Sequence, residues 1–305
     1  MIVVTGGLGF IGKNLARELL KKNDFNKKIC VVDKKKKIKL KKFTYINNIK
    51  FLKNLKSKKF SKKIDFIFHQ GANSNTAEKN FQSIMNDNYY YTIELINICE
   101  KYRIPLVYAS SASVYGIDTN NFKEETILQP ANYYAVSKSL VDIYALNRIK
   151  ANKNIKLAGL RYFNVYGNGE ERKKRMASVF YHFSNQIKDT GKIKLFKGTR
   201  GYKNGEQKRD FIHVLDCINV NLFFLKNFKS GIYNVGSGIA TTFNDVAKNI
   251  FKNLNKKNKI SYIDMPKDIL DSYQNFTKAN INKLRKVGFK KNLLSVQEGV
   301  KKYEF

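Results

Sequence analysis

Apolar positions in the first half of the chain follow two alternating periods. Short continuous runs at residues 2–4, 29–32 and 106–109 read as strands covered on both faces, whereas the stretches between them space apolar residues three and four apart, as a helix with one buried side does. The run at 2–5 passes into a helix expected from about residue 10 to 20, and a strand at 29–33 follows. A Lys-rich connection leads to a strand at 64–69, a long helix from about 80 to 102, and a strand at 106–109. A helix over 134–150 and a strand at 156–161 continue the alternation. Strands separated by helical stretches imply parallel pairing with crossovers, that is, an α/β chain with a Rossmann-type doubly wound parallel sheet.

Past residue 167 the pattern loosens. A basic loop, a helix over about 177–188 and a Gly/Lys stretch precede strands expected at 210–214 and 232–235, and short helices fill the tail from 245. Interrupted pieces of this kind predict a second, smaller α/β domain. We expect a dinucleotide-binding domain of residues 1–167 with 209–240, and a substrate-binding domain of 168–208 with 241–305.

Composition narrows the class. With 305 residues and 43% hydrophobic content the chain has ample material for a core. No charged segment leads into an apolar leader at the start, and no apolar run approaches the roughly twenty residues that span a bilayer, so a cytoplasmic protein without a membrane partner is expected. Cys30, Cys99 and Cys217 are far apart and in no metal-ligand spacing, which points to structural thiols and no metal site. The net charge of +34 invites a polyanion. However, the excess is mostly Lys spread along the whole chain, and the runs at 34–37 and 56–63 sit in no recognisable nucleic-acid module. Solvated surface is the expectation, with no specific nucleic-acid partner.

The candidate chemistry begins at MIVVTGGLGFIG, where Gly6, Gly9 and Gly12 lie between a strand and a helix. Gly6 permits a tight turn, Gly9 lets a pyrophosphate approach the backbone, Gly12 lets the helix pack on the sheet, and the helix N-terminus supplies amides. Asp33, about twenty residues on at the next strand end, is placed for an adenine ribose. Lys34, Lys35 and Lys36 follow it. Their ammonium groups would hold a ribose 2′-phosphate and favour NADP over NAD, or else they belong to the general lysine excess. Tyr134 and Lys138 are four apart on one expected helix face, and Ser111 stands just after an apolar strand. Tyr titrates near 10, and an adjacent ammonium would favour the tyrosinate, giving a base for an alcohol/ketone site.

With these residues in order, the chain resembles the extended short-chain dehydrogenase/reductases that act on nucleotide sugars. The stretches HQGANSN (69–75), NDNYYYTIELI (86–96), LVYASSASVYG (106–116), RYFNVYG (161–167), MASVFYHF (176–183), LFKG (195–198), KRDFIHV (208–214) and YQNFTKA (273–279) resemble the branch that epimerises ADP-linked heptoses at C6. The resemblance implies hydride removal to NADP, a transient 6-ketone, and hydride return to the opposite face, with a product that feeds lipopolysaccharide core assembly. It implies Tyr134 and Lys173 as the two acid/base residues, supported by Ser111 and Lys138. Phe10, Ile11, Asp33, Lys34, Gln70, Gly71, Ala72, Asn73, Ser74, Asn88, Lys138 and Val165 would line the cofactor. Asn164, Arg175, His182, Phe196, Lys197, Gly198, Thr199, Arg209 and Tyr273 would line the substrate, with Arg209 on the diphosphate. A homo-oligomer is also implied.

Lys173 lies in the charge run EERKKR, which by composition alone is solvated surface, and Lys174 is its nearest rival. His182 on a helix also reads as structural. Three positions depart from the family pattern: Asn73 for Cys, Arg175 for Ser, and Lys197 for an acidic residue. About five extra residues around 200–205 enlarge a substrate loop. Other readings stand beside this one. A 4-epimerase would share Ser111, Tyr134 and Lys138, and a dehydratase would want acidic residues where Ala112 and Ser113 stand. A binding-only NADP or RNA-associated protein would keep the fold without turnover.

Overall fold

The computed structural model describes residues 1–22, 27–34, 43–117, 119–270 and 273–304. Its strands are β1 Ile2–Thr5, β2 Ile29–Asp33, β3 Thr44–Asn47, β4 Phe66–His69, β5 Leu106–Ser111, β6 Leu157–Tyr162, β7 Asn164–Tyr166, β8 Ile193–Phe196, β9 Lys208–His213, β10 Gly231–Val235, β11 Ala240–Thr242 and β12 Ile260–Ile263. The chain forms two compact units. One comprises residues 1–111, 132–161 and 218–233, the other 112–131, 162–217 and 234–305. Residues 112–131, 162–167, 209–217 and 234–240, expected with the dinucleotide-binding domain, fall in the second unit.

A seven-stranded sheet in the order β10-β6-β5-β4-β1-β2-β3 organises the first unit. The pairings that run β3–β2–β1–β4–β5 are all parallel. Every residue of β1 and β4 is buried, as a strand covered on both faces requires. Val3, Cys30, Ile67, Leu106 and Leu157 of the sheet pack with Leu95, Val141 and Ala145 of the helices Tyr91–Lys101 and Tyr133–Ala151. Each fully covered large aliphatic side chain contributes about 1.5–3 kcal/mol. Strand order reverses direction at β1 and β4, so the carboxyl ends of these two strands flank the crevice where such sheets bind ligands.

Two details differ from the sequence expectation. The Lys-rich connection contains β3 and the helix Asn48–Leu55, whose first turn is capped by the Asn47 side chain accepting from the Ile49 N–H at 3.1 Å. β3 is too short and too half-buried to announce itself. The long helix at 80–102 is in fact Phe81–Ile84, a π-helical turn Met85–Tyr90, and Tyr91–Lys101. There the Tyr91 N–H reaches back five residues to the Asn86 carbonyl.

The second unit carries two small sheets, β11-β9-β7 and β12-β8. β9 runs parallel to β7 and antiparallel to β11. Phe180, Phe183 and Ile187 of the helix Val179–Thr190 pack with Val246, Ile250 and Phe251 of the helix Phe243–Asn253, over Leu195 and Phe211. Ser178 and Thr242 cap these helices through their side-chain oxygens. Among the described residues no helix is long and apolar enough to cross a membrane. Cys30, Cys99 and Cys217 are buried free thiols, and burial pushes Cys30 up to about 12.

Candidate active site

In the first unit the turn after β1 is built from bare backbone. Gly6 adopts φ +62°, and a Cβ on it would lie 2.5 Å from the Gly71 backbone. A Cβ on Gly12 would meet the Gly6 carbonyl at 2.3 Å, so only glycine lets the helix Phe10–Lys22 start this close. Gly9 faces nothing nearer than the Gly6 carbonyl at 3.1 Å, which leaves its other side open. Phe10 and Ile11 begin the helix, half-buried. Asp33 ends β2 and accepts from the Leu8 N–H at 3.0 Å, bringing a carboxylate to the turn. These features fit a dinucleotide: a cradle that any Cβ would fill, a helix N-terminus, and an acid for a ribose. Lys34 is exposed and ion-paired with Asp87. Lys35 and Lys36 lie outside the described residues.

The loop after β4 completes that side. Gln70 donates to the Asn221 side chain at 3.1 Å, and Gly71 abuts Gly6. The Asn88 side chain, fully buried, accepts from the Asn73 N–H at 2.8 Å and donates to the Asn73 carbonyl and the Ser137 hydroxyl, each at 3.0 Å. Ala72 and Ser74 on either side are exposed. His69 bridges Thr5 (2.6 Å) and Thr92 (2.9 Å). Because Thr92 donates to the Asn88 carbonyl at 2.5 Å, His69 must donate from Nε2 and accept at Nδ1. Burial, with the charge of Lys138, holds this ring near pKa 3, hence neutral.

Ser111, Tyr134 and Lys138 converge as their spacing predicts. The Asn132 side chain caps the helix Tyr133–Ala151, accepting from the Ala135 N–H at 2.9 Å. One turn apart on it, the Lys138 Nζ sits 5.9 Å from the Tyr134 ring centroid and donates to the Ala109 carbonyl at 2.8 Å. Burial lowers Lys138 to about 8, and the Asp142 carboxylate opposes that fall. The Tyr134 phenol hydrogen-bonds Ser111. Its pKa is raised, not lowered as the sequence led us to expect. Burial pushes it up, the Ser111 bond offsets part of this, and Asp142 adds to the rise.

In the second unit, Lys173 lies in the short helical turn Glu171–Met176, half-buried, while Lys174 beside it is exposed. Burial lowers the Lys173 pKa, and Glu170 draws it back up. Glu170, by composition part of a solvated charge run, is 0% exposed. His182 contacts the Arg175 carbonyl at 3.3 Å and so props the same turn, with the Arg175 side chain exposed. Asn164 spends its amide on the Asp210 carbonyl (2.9 Å) and Thr277 (3.3 Å), and Val165 pairs with Ile212 in the same sheet.

Arg209 is the most unusual cation here. It is only 8% exposed, its guanidinium stands 5.0 Å from the Tyr273 ring and 5.9 Å from the Phe243 ring, and no carboxylate among the described residues pairs with it. Burial pushes its pKa down, with Tyr273 and Tyr202 opposing. Phe196 meets Tyr273 edge-on at 6.0 Å, and Thr199 donates to Asn275 at 3.1 Å. Lys197 points instead into an exposed ion pair with Asp264 at 3.0 Å. The enlarged loop is pinned. The Gly198 N–H donates to the Asn204 side chain, and Asn244 donates to the Asn204 carbonyl, both at 2.9 Å. Sequence reasoning missed Glu170, Asp142 and Arg161. Only Asp142 carried a readable signal, one helical turn beyond Lys138.

A profile of the NAD dependent epimerase/dehydratase family matches residues 2–236. The chain is 42% identical, over 99% of its length and 96% of the relative's, to the ADP-L-glycero-D-manno-heptose-6-epimerase of Brachyspira hyodysenteriae. Among solved structures it is similar to the Helicobacter pylori ADP-L-glycero-D-manno-heptose-6-epimerase, with TM-score 0.84 and 29% identity, covering 99% of this chain and 94% of that one. It is also similar to the UDP-N-acetylglucosamine 4-epimerase of Methanobrevibacter ruminantium M1, solved with UDP-N-acetylmuramic acid. There the TM-score is 0.82 and the identity 25%, covering 99% and 96% of the two chains.

Proposed function

The chain belongs to the NAD dependent epimerase/dehydratase family, and from that we propose that it inverts C6 of ADP-D-glycero-β-D-manno-heptose to give the ADP-L-glycero epimer through a 6-keto intermediate. The observation that carries the alcohol chemistry is the Tyr134 phenol bonded to Ser111, one turn from the buried Lys138. The sugar is taken from the relative that matches 99% of the chain. We assign NADP as the cofactor, with NAD as the alternative, held by Gly6, Gly9, Gly12, Asp33 and the loop from Gln70 to Ser74. Lys34 beside Asp33 supports the 2′-phosphate. When bound, the nicotinamide supplies hydride acceptance and return at C6.

The chain's own residues do the rest. Ser111 orients the carbinol hydroxyl, and Tyr134 takes its proton and later returns one. Lys138 holds positive charge under the phenol up to about pH 8 and steadies the tyrosinate that forms. Lys173 serves as the second acid/base group for the opposite face, burial lowering its pKa and so easing loss of its proton. Arg209 meets the diphosphate, because a buried guanidinium that no carboxylate among the described residues pairs with is costly until an anion arrives. A homo-oligomer in the cytoplasm accompanies this reading.

Incubation with ADP-D-glycero-β-D-manno-heptose followed by NMR of the C6 configuration is the test. We expect a mixture of both epimers with no net change in NADPH. Recovery of unchanged substrate from protein that carries its dinucleotide would remove the C6 assignment.

A further inference from the structure

The segment 167–178 of the second unit is folded around a single carboxylate. The Oε1 atom of Glu170 accepts from the Gly167 N–H (3.3 Å), the Ser178 hydroxyl (2.8 Å) and the Tyr303 hydroxyl (3.0 Å). Its Oε2 accepts from the Ser178 N–H at 2.6 Å. Both ends of the segment and the last turn of the chain are thereby tied to one buried group. The tail adds two more bonds: Asn168 donates to the Lys302 carbonyl at 3.1 Å and accepts from the Glu304 N–H at 2.8 Å.

Within this clasp the backbone is strained. Lys174 has φ 50° and ψ −122°, a conformation that a residue with a Cβ rarely adopts. Such geometry persists only where the surroundings over-determine it, and it clusters at functional positions. The residue immediately before it is Lys173. Hydrogen bonds from the Lys173 N–H to the Glu170 carbonyl (2.8 Å) and from the Ala177 N–H to the Lys174 carbonyl (2.9 Å) brace the kink on either side. The kink separates two neighbouring lysines, one half-buried and one exposed.

We propose that Glu170, together with Tyr303, is a positioning residue of the reaction, holding the strained turn that presents Lys173 rather than Lys174. The proposal rests on the assignment of Lys173 as the second acid/base group. A clasp that were only structural would govern unfolding and leave the two lysines' relative reactivity alone. A clasp that positions Lys173 governs kcat and that relative reactivity together. The Glu170 charge also draws Lys173 back towards protonation against the effect of burial.

The experiment compares Glu170→Gln, Tyr303→Phe, the double variant Tyr303→Phe/Lys174→Gly, and Lys173→Met. Two quantities are read: kcat and KM on the ADP-heptose for all four, and, by mass spectrometry on the wild type, Glu170→Gln and Tyr303→Phe, which keep both lysines, the rate of reductive methylation of Lys173 relative to Lys174. We expect Glu170→Gln to lower kcat by about 10²-fold with KM little changed, as a displaced catalytic group does. Tyr303→Phe, which removes one hydroxyl and folds even if Glu170→Gln does not, should lose about tenfold, since it loosens the same group less. Lys174→Gly should restore part of that loss, because glycine adopts the kink freely. The methylation contrast between Lys173 and Lys174 should shrink in step with kcat. If Lys173→Met is inactive but Tyr303→Phe and Glu170→Gln retain wild-type kcat, or lose it with the contrast intact, the positioning role is overturned. If Lys173→Met turns over normally, the assignment of Lys173 falls and this inference with it.

Discussion

The two units each bury carboxylates completely, but they use them differently. In the first, Asp142 accepts from Arg161 Nε at 2.7 Å, the Tyr108 hydroxyl at 2.8 Å and the Ser110 hydroxyl at 2.9 Å. It lies on the helix that carries Tyr134 and Lys138, facing β5 and β6, whose places are already fixed by sheet and helix bonding. Its negative charge has a cationic partner. In the second unit, Asp210 accepts from the Ser237 N–H (2.6 Å) and hydroxyl (2.8 Å) and from the N–H groups of Gly238 and Ala279, both at 2.9 Å. No cation among the described residues joins it. Loops lack a ladder, yet their buried N–H groups need acceptors, and here carboxylates supply them. One acid balances charge under regular elements, while Asp210 and Glu170 staple irregular backbone.

The largest effect should come from the acid/base groups on the two sides of that contrast. Tyr134→Phe and Lys173→Met should each lower kcat by about 10²–10⁴-fold. Tyr134→Phe should keep its dinucleotide, read by absorbance after denaturation, and unchanged turnover would strike Tyr134 from the mechanism. Next in size, Asp142→Ala strips the buried Arg161 guanidinium of the carboxylate it meets at 2.7 Å, and breaking a buried pair costs about 3–5 kcal/mol. Asp210→Asn keeps one acceptor oxygen for the loop and should cost about 1–3 kcal/mol. Urea unfolding of both variants decides whether the paired acid is indeed the more expensive one to lose.

The smallest effect is in the pH dependence, where the two units should pull in opposite directions. His69 is held near 3, below its ordinary 6.5, so the unfolded chain binds the extra proton and stability is lost as pH falls from 6.5 towards 3. Asp210 is raised to about 6 by burial from an ordinary 3.8, so the folded chain binds the extra proton, and acidification from 6 towards 3.8 relieves a penalty. In thermal melts between pH 4 and 6.5, His69→Gln should flatten the acid loss and Asp210→Asn should steepen it. Identical slopes in all three proteins would show that neither group controls this range.

The first unit was largely legible because its chemistry is written at element periods. β1 reads as an apolar run, the glycines mark the strand-to-helix turn, and Tyr134 and Lys138 are four apart, so one helix turn brings them together. What stayed hidden there was β3, four residues set among lysines without alternation. The second unit was less legible because its partners are remote in sequence. Glu170 sits in a run of charges and looks solvated, yet the residues that bury it are Ser178, 8 positions away, and Tyr303, 133 away. No local pattern encodes that. Likewise the upward shift of the Tyr134 phenol depends on burial, which spacing cannot report.

The widened turn at Met85–Tyr90 has a consequence for how this sequence tolerates length changes. Each residue of an α-helix advances about 100° around its axis, so deleting one position there would convert the bulge to regular coil and spin the preceding turn by that angle. Asn88 would then swing off Asn73 and Ser137, three bonds that no substitution elsewhere replaces. A one-codon deletion in this stretch should therefore be far less forgivable than one in the exposed turn at Lys153 and Asn154, even though it would leave a helix more ideal than before.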